Sequence, residues 1–259
     1  MLADKTEYLS AGIHIGMKSC TKYMKTFVYK TREDGLSVFN LQEVDNRIKL
    51  AAIFLSRYKR VLAVSHKAVA DQATRKFAEL INGKAMAGRF APGTLTNPSY
   101  KDFYEPEIVI VADPLIDVQA VLEAKKRGVP VIGLCDTFNE VSDIDLVIPA
   151  NNNGKKSMAL VYWLLAREVL KIRGELKKDT DFKFTLRDFG DDEIQTKQQQ
   201  QKQAIHDAAG SAIDEAMKKK PAVKKPKKKA EGKDDAEKKE GKTEDDGKIT
   251  VADLQVDNQ

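Results

Sequence analysis

Tryptophan occurs once, cysteine twice and histidine three times in the 259 residues, and no Phe, Tyr or Trp follows Phe189. Each scarcity removes a class of protein. Two cysteines, Cys20 and Cys135, make neither a disulfide framework nor a metal knuckle, and they suit a reducing cytoplasm. The longest apolar run, residues 158–166, is nine long, far short of the roughly 20 needed to cross a bilayer. The opening residues, Met1 to Glu7, lack the apolar stretch of a secretory signal. The last 70 positions, without aromatics, have little with which to build a core. A globular domain over 1–190 followed by a low-complexity charged tail over 191–259 is the expected organisation.

Charge supports that division. The net charge is +5, from 44 basic and 39 acidic side chains. Residues 218–229 hold eight lysines and no acid, whereas 230–259 hold five lysines against ten acids. The tail is thus a basic block followed by an acidic one, and blocks of this kind stay solvated. Apolar residues at helical spacing between Ile205 and Met217 predict a marginal helix ahead of the lysines. The stretch from Ile249 to Val256 is an apolar island suited to docking on a partner, or simply hydrophobic by chance.

The domain itself alternates strands and helices. Two short β-rich runs, 27–31 and 36–40, flank Asp34-Gly35 and predict a hairpin. Leu41, Val44, Ile48, Ala51, Ala52 and Leu55 mark an amphipathic helix ending near Tyr58. Strands follow at 61–64, 85–88, 108–112, 129–135 and 146–148, with helices at 68–80, from Asp113-Pro114 to Gly128, and at 155–173. Strands apolar on both faces belong in a parallel sheet covered by helices, so the fold class is α/β, doubly wound and mostly parallel.

Such sheets bind ligands at the carboxyl ends of their strands. No G-x-G-x-x-G follows a strand, and neither a phosphate loop nor a nucleophile elbow occurs. Asp113 and Asp136, both at strand ends, admit two readings: an acid pair of a sugar-phosphate or nucleotide enzyme, or capping residues of turns. His14, between glycines and isoleucines, suits a structural role, and His66 has no evident partner.

Three cationic or amide-rich stretches stand out instead. Lys18, Lys22, Lys25, Lys30 and Arg32 interleave with Tyr23, Phe27 and Tyr29, a mixture suited to phosphate contact and base stacking, or to a solvated hairpin. The loop 88–98 is rich in Gly and Pro and carries Arg89, Thr94, Thr96 and Asn97, groups able to follow a sugar–phosphate backbone. Asn151, Asn152, Asn153, Lys155 and Lys156 lead into the last helix, where free amides and positive charge favour an anion.

With those residues in view, the chain resembles the small-subunit ribosomal protein S2 family, in its archaeal branch, a relative of the eukaryotic laminin-receptor-like ribosomal protein. The likeness rests on Ala11-Gly12-Ile13-His14-Ile15-Gly16, Gly88 to Asn97, Ala112-Asp113-Pro114, Leu134-Cys135-Asp136-Thr137, Ile148-Pro149-Ala150-Asn151-Asn152 and Tyr162 to Leu170. It implies a flavodoxin-like domain that binds ribosomal RNA near the head–body junction. It also implies neighbouring ribosomal proteins as partners and neither catalysis nor a cofactor. On that basis the RNA contacts are expected from Lys18, Lys22, Lys25, Arg32, Arg89, Thr94, Thr96, Asn97, Asn151, Asn152, Lys155 and Lys156. Asn153 and Leu115 depart from the pattern, since related sequences often carry lysine and arginine there.

Overall fold

The computed structural model describes residues 1–176 and 182–190. The stretches expected as a helix before the lysine block, the block itself and Ile249 to Val256 lie outside the described residues. Helix α1 (Lys5–Ala11) comes first and ends on Gly12 in the left-handed conformation. A hairpin, β1 (Val28–Thr31) and β2 (Ser37–Phe39), then leads into α2 (Leu41–Ser56), whose first turn is capped by the Asn40 side chain. The hairpin and α2 fall where patterning predicts them. The seven-residue α1 was not predicted, because so short a polar segment has no readable periodicity.

Strands β3 (Val61–Ser65), β4 (Lys84–Ala87), β5 (Ile108–Val111), β6 (Val131–Cys135) and β7 (Leu146–Pro149) form a wholly parallel sheet in the order β4-β3-β5-β6-β7. Numbered within the sheet, that order is the flavodoxin-like 2-1-3-4-5, with its switch point between β3 and β5. Helix α3 (Ala68–Leu80) connects β3 to β4, α4 (Val118–Arg127) connects β5 to β6, and α5 (Lys155–Ile172) follows β7.

The two-residue period of each strand divides the core. Val61, Ala63, Ile108, Ile110, Ile132 and Leu134 join α2, α3 and α5 on one face. Leu62, Val64, Val109, Val111 and Val131 face the other way, against Ala120, Val121 and Ala124 of α4. No helix connects β4 to β5, so that second face is completed by the loop after Gly88, which inserts Phe90 and Leu95. Residues 182–190 lie across α3 and α5, with the Trp163 indole donating to Phe184 O at 2.8 Å and stacking edge-on to Phe182.

One helix differs from expectation. Asp113-Pro114 does not open α4; Asp113 Oδ1 instead accepts from the Leu115 amide at 3.0 Å, and the helix begins at Val118 after a turn. The other oxygen of Asp113 is claimed from across the sheet, which holds the carboxylate away from the helix axis.

The N-terminal segment is fixed to the sheet by a close approach at Gly16. Its amide bonds Ser37 O at 2.8 Å, and a Cβ there would sit 2.4 Å from Thr137 Cγ2 and 3.1 Å from Ser37 O. Gly16→Ala must lift the hairpin from the sheet end. Urea denaturation is expected to register a loss of about 1–3 kcal/mol, and an unchanged midpoint would contradict the tight seat.

Candidate nucleic-acid interface

The carboxyl ends of β3, β5, β6 and β7 meet in a buried polar cluster. Lys67, just past β3, places Nζ 2.6 Å from Asp113 Oδ2, just past β5. The same ammonium donates to Asn152 O (3.3 Å), Asn152 Oδ1 (3.0 Å) and Asn153 Oδ1 (2.7 Å). Asn139 continues the chain of contacts, donating to Asp113 Oδ1 at 2.8 Å and accepting from Asn152 Nδ2 (3.1 Å) and the Asp136 amide (2.7 Å). Asp136 accepts from the Thr137 amide and from Asn153 Nδ2. Burial raises its carboxyl above the ordinary range, against the pull of the Thr137 amide and Lys67. The switch-point crevice, where this topology usually receives a ligand, is filled here by the protein's own side chains.

Asp113 and Asp136 are therefore not an exposed acid pair. Each is 1% exposed and engaged by neighbours, so both serve turns and packing. Among the described residues no group of three or more His, Cys, Asp or Glu could hold a metal ion.

This cluster seats the basic N-terminal segment. The Met17 amide donates to Thr137 Oγ1 (2.9 Å), the Thr21 amide to Thr137 O (2.9 Å), and Thr21 Oγ1 to Asn139 O (3.1 Å). Asn151 ties the adjoining turn to the same segment: its amide donates to Ile13 O and its Nδ2 to Gly12 O. Lys18, Lys22, Lys25 and Arg32 project from this docked segment and its hairpin, all exposed and none in an ion pair among the described residues. Tyr23 and Tyr29 stand exposed beside them, whereas Phe27 is buried under Arg47.

The Gly88 loop is shaped from beneath by Glu123 of α4. This buried carboxylate accepts from the amides of Gly93 (2.7 Å) and Leu95 (3.0 Å), from Thr96 Oγ1 (3.4 Å) and from Gln119 Nε2 (2.8 Å). Burial pushes its carboxyl up, yet the two amides, Gln119 and Thr96 together hold it below the ordinary glutamate value. Arg89 is exposed at the loop's start, and Asn97 is exposed with its Oδ1 accepting from the Ser99 amide.

Two expected contacts need correction. Thr94 is 2% exposed and donates to Ala91 O, so its hydroxyl shapes the loop from inside. Asn152 is fully buried and completes the polar cluster. Thr96, half-buried, also spends its hydroxyl on Glu123. At the start of α5, Asn151 Oδ1 accepts from the Asn153 and Gly154 amides, with Lys155 exposed and Lys156 half-buried next along the chain. Lys67, Glu123 and Asn139 escaped sequence reasoning: a strand-end lysine, a helical glutamate and a loop asparagine carry no local sign of burial.

The comparisons agree with the geometry. The family model for ribosomal protein S2 matches residues 8–104 and 99–171. The chain is 48% identical over 183 residues to a protein of Staphylothermus marinus named small ribosomal subunit protein uS2, spanning 70% of this chain and 83% of that protein. A protein of the same name from Saccharolobus solfataricus is 44% identical over 191 residues, 73% of this chain and 83% of its own. The chain belongs to the ribosomal protein S2 family.

Within this S2-family domain the two ends of the sheet are charged differently. At the amino edge, Arg60 pairs with Glu107, Lys125 with Asp143 and Arg127 with Glu105. At the carboxyl edge Lys67 pairs internally with Asp113 and Arg75 with Asp71, while Lys18, Lys22, Lys25, Arg32 and Arg89 are exposed and in no ion pair among the described residues.

Two predictions test the cluster. Lys67→Met strands Asp113 in the interior and is expected to cost about 3–5 kcal/mol. Adding Asp113→Asn should recover much of that loss in a chemical denaturation cycle, and strict additivity of the two changes would refute the coupling. The second concerns Asp117, buried beside the cluster, whose carboxyl is pushed from 3.8 up to about 6 by burial and then by Asp113. The folded state holds this proton more tightly than the unfolded chain, so the group's cost grows as pH rises from about 4 to 6. Asp117→Asn should gain stability at pH 7.5, by about 1–3 kcal/mol, with the gain vanishing near pH 4 when the two proteins are melted in parallel.

Proposed function

We propose that this chain is a structural, non-catalytic component of the small ribosomal subunit that binds ribosomal RNA through the carboxyl edge of its sheet. The observation that carries this reading is the set of exposed, acid-free cations, Lys18, Lys22, Lys25, Arg32 and Arg89, held on backbone fixed from inside. Phosphate contacts of this type set register and affinity without reading sequence. The relatives' printed name, small ribosomal subunit protein, supports the assignment. The same kinship supports a reading that puts the chain near the head–body junction, beside other small-subunit proteins in the cytoplasm. No helix among the described residues is long and apolar enough to cross a membrane.

The mechanism is positioning. An RNA backbone laid along the edge meets Lys18, Lys22, Lys25 and Arg32 on the N-terminal side, Lys155 at the start of α5, and Arg89 with Asn97 on the far side. Lys156 adjoins that path, and Thr96 and Asn151 fix the local backbone. The eight lysines of 218–229 add a looser attachment by counterion release.

The triple change Lys18→Gln, Lys22→Gln and Lys25→Gln is expected to weaken binding to small-subunit ribosomal RNA by at least tenfold at moderate salt. It should also flatten the slope of log K against log salt by about 2–3, since each phosphate contributes roughly 0.7–0.9. Filter binding across a salt series measures both. An unchanged slope with an unchanged melting midpoint would refute the placement of RNA on this edge.

A further inference from the structure

The switch-point crevice is closed only on its inner side. Between the ends of β4, β3 and β5, a cavity of about 440 Å³ stays open to solvent, lined by His66, Arg89, Phe90, Pro92, Ile116, Asp117 and Gln119. Its volume lies within the roughly 300–1,000 Å³ typical of small-molecule sites. We propose that it receives a single nucleotide, supplied by RNA as one unstacked residue, a reading that rests on the RNA-binding function above.

The lining has the chemistry of that ligand. Arg89 makes no ion pair among the described residues, and an arginine at the cavity mouth can bind a phosphate or lie flat on a base. His66 is exposed and brings an aromatic ring, while Phe90, Pro92 and Ile116 supply apolar wall. Gln119 gives direction: its Nε2 is held by Glu123 Oε1 at 2.8 Å, which leaves its carbonyl oxygen to accept from the amino group or ring N–H of a base. The wall is firm, because Glu123 also holds the Gly93 and Leu95 amides of the loop that carries Arg89 and Phe90. Arg89 also borders a second cleft of about 270 Å³, whose lining includes Lys84, Tyr100, Asp102 and Arg75, the last paired with Asp71, so Arg89 can reach backbone on either side of it.

The test uses the full chain and two RNA hairpins that differ by one unpaired nucleotide. Fluorescence anisotropy should give at least about fivefold tighter binding to the bulged RNA, in keeping with the worth of one stacked base. Ile116→Trp fills the cavity from an exposed position and should abolish that preference while leaving affinity for the paired hairpin within twofold. His66→Ala, which adds no bulk, should reduce the preference and guards against misfolding of the first variant. Nucleoside monophosphates at millimolar concentration should compete with the bulged RNA alone. Equal binding of both hairpins with no competition would overturn the pocket and leave the RNA-binding edge standing. Loss of all RNA binding would overturn that edge. Binding of free nucleotides that Ile116→Trp removes, without a bulge preference, would support the site and overturn RNA as its source.

Discussion

The ion pair between Lys67 and Asp113 is the constraint from which the carboxyl edge is built. It joins β3 to β5 across the switch point, where a parallel sheet of this winding parts its connections to opposite faces. A charge pair so buried gains little over apolar packing unless its remaining bonding capacity is used. Here it is used: the ammonium also holds Asn152 and Asn153 of the turn before α5, and the carboxylate also holds Asn139 and the Leu115 amide. Asn139 passes the constraint to Asp136, Thr137 passes it to Met17 and Thr21, and the basic hairpin is thereby set in place. Four strand ends and the N-terminal segment share one connected network.

That network shows how an enzyme-like topology would support the RNA-binding surface proposed for it. In a catalytic sheet of this type the crevice is left empty for substrate, and loops move to cover it. Here the inner crevice is occupied by protein atoms, so the surrounding loops are ordered before any ligand arrives. The proposed binding of RNA would then lose less to the ordering of side chains and backbone, which is the benefit of preorganisation. The asymmetry of charge has the same sense. Arg60, Lys125 and Arg127 at the amino edge each touch a carboxylate, while Lys18, Lys22, Lys25, Arg32 and Arg89 at the carboxyl edge have their charge turned to solvent.

Most of the architecture was legible because it depends on patterns that are local. The strands are apolar on both faces, α3 begins and ends where its periodicity says, and α4 stops at Gly128 in the left-handed conformation. The site was legible only in its charged, outward members. Lysine and arginine in a loop default to solvent, so the exposure of Lys18, Lys22, Lys25, Arg32 and Arg89 was readable. Thr94 and Asn152 were not, since a small polar side chain in a loop bonds its own backbone as readily as a ligand, and sequence does not distinguish the two. Lys67 is the extreme case. It follows a strand as an exposed lysine would, and its partner lies on the far side of α3, β4 and a long loop.

The same difficulty attends Glu123, and it bears on why the loop after β4 has kept no helix. A helix there would bury the second face of the sheet with its own hydrogen bonds satisfied internally. A loop that inserts Phe90 and Leu95 into that face must instead find acceptors for its amides, and Glu123 supplies them from α4. Burying a carboxylate costs solvation, but two backbone donors and two side-chain donors offset it, and its lowered pKa records the balance. The exchange leaves the face as well covered as a helix would leave it. It also brings an arginine, a proline and exposed amides to the carboxyl edge on a backbone that cannot drift. The irregular connection thereby adds Arg89 to the β4 side of the edge, where Arg75 already reaches Ala87 O, and Glu123 fixes the loop that carries it.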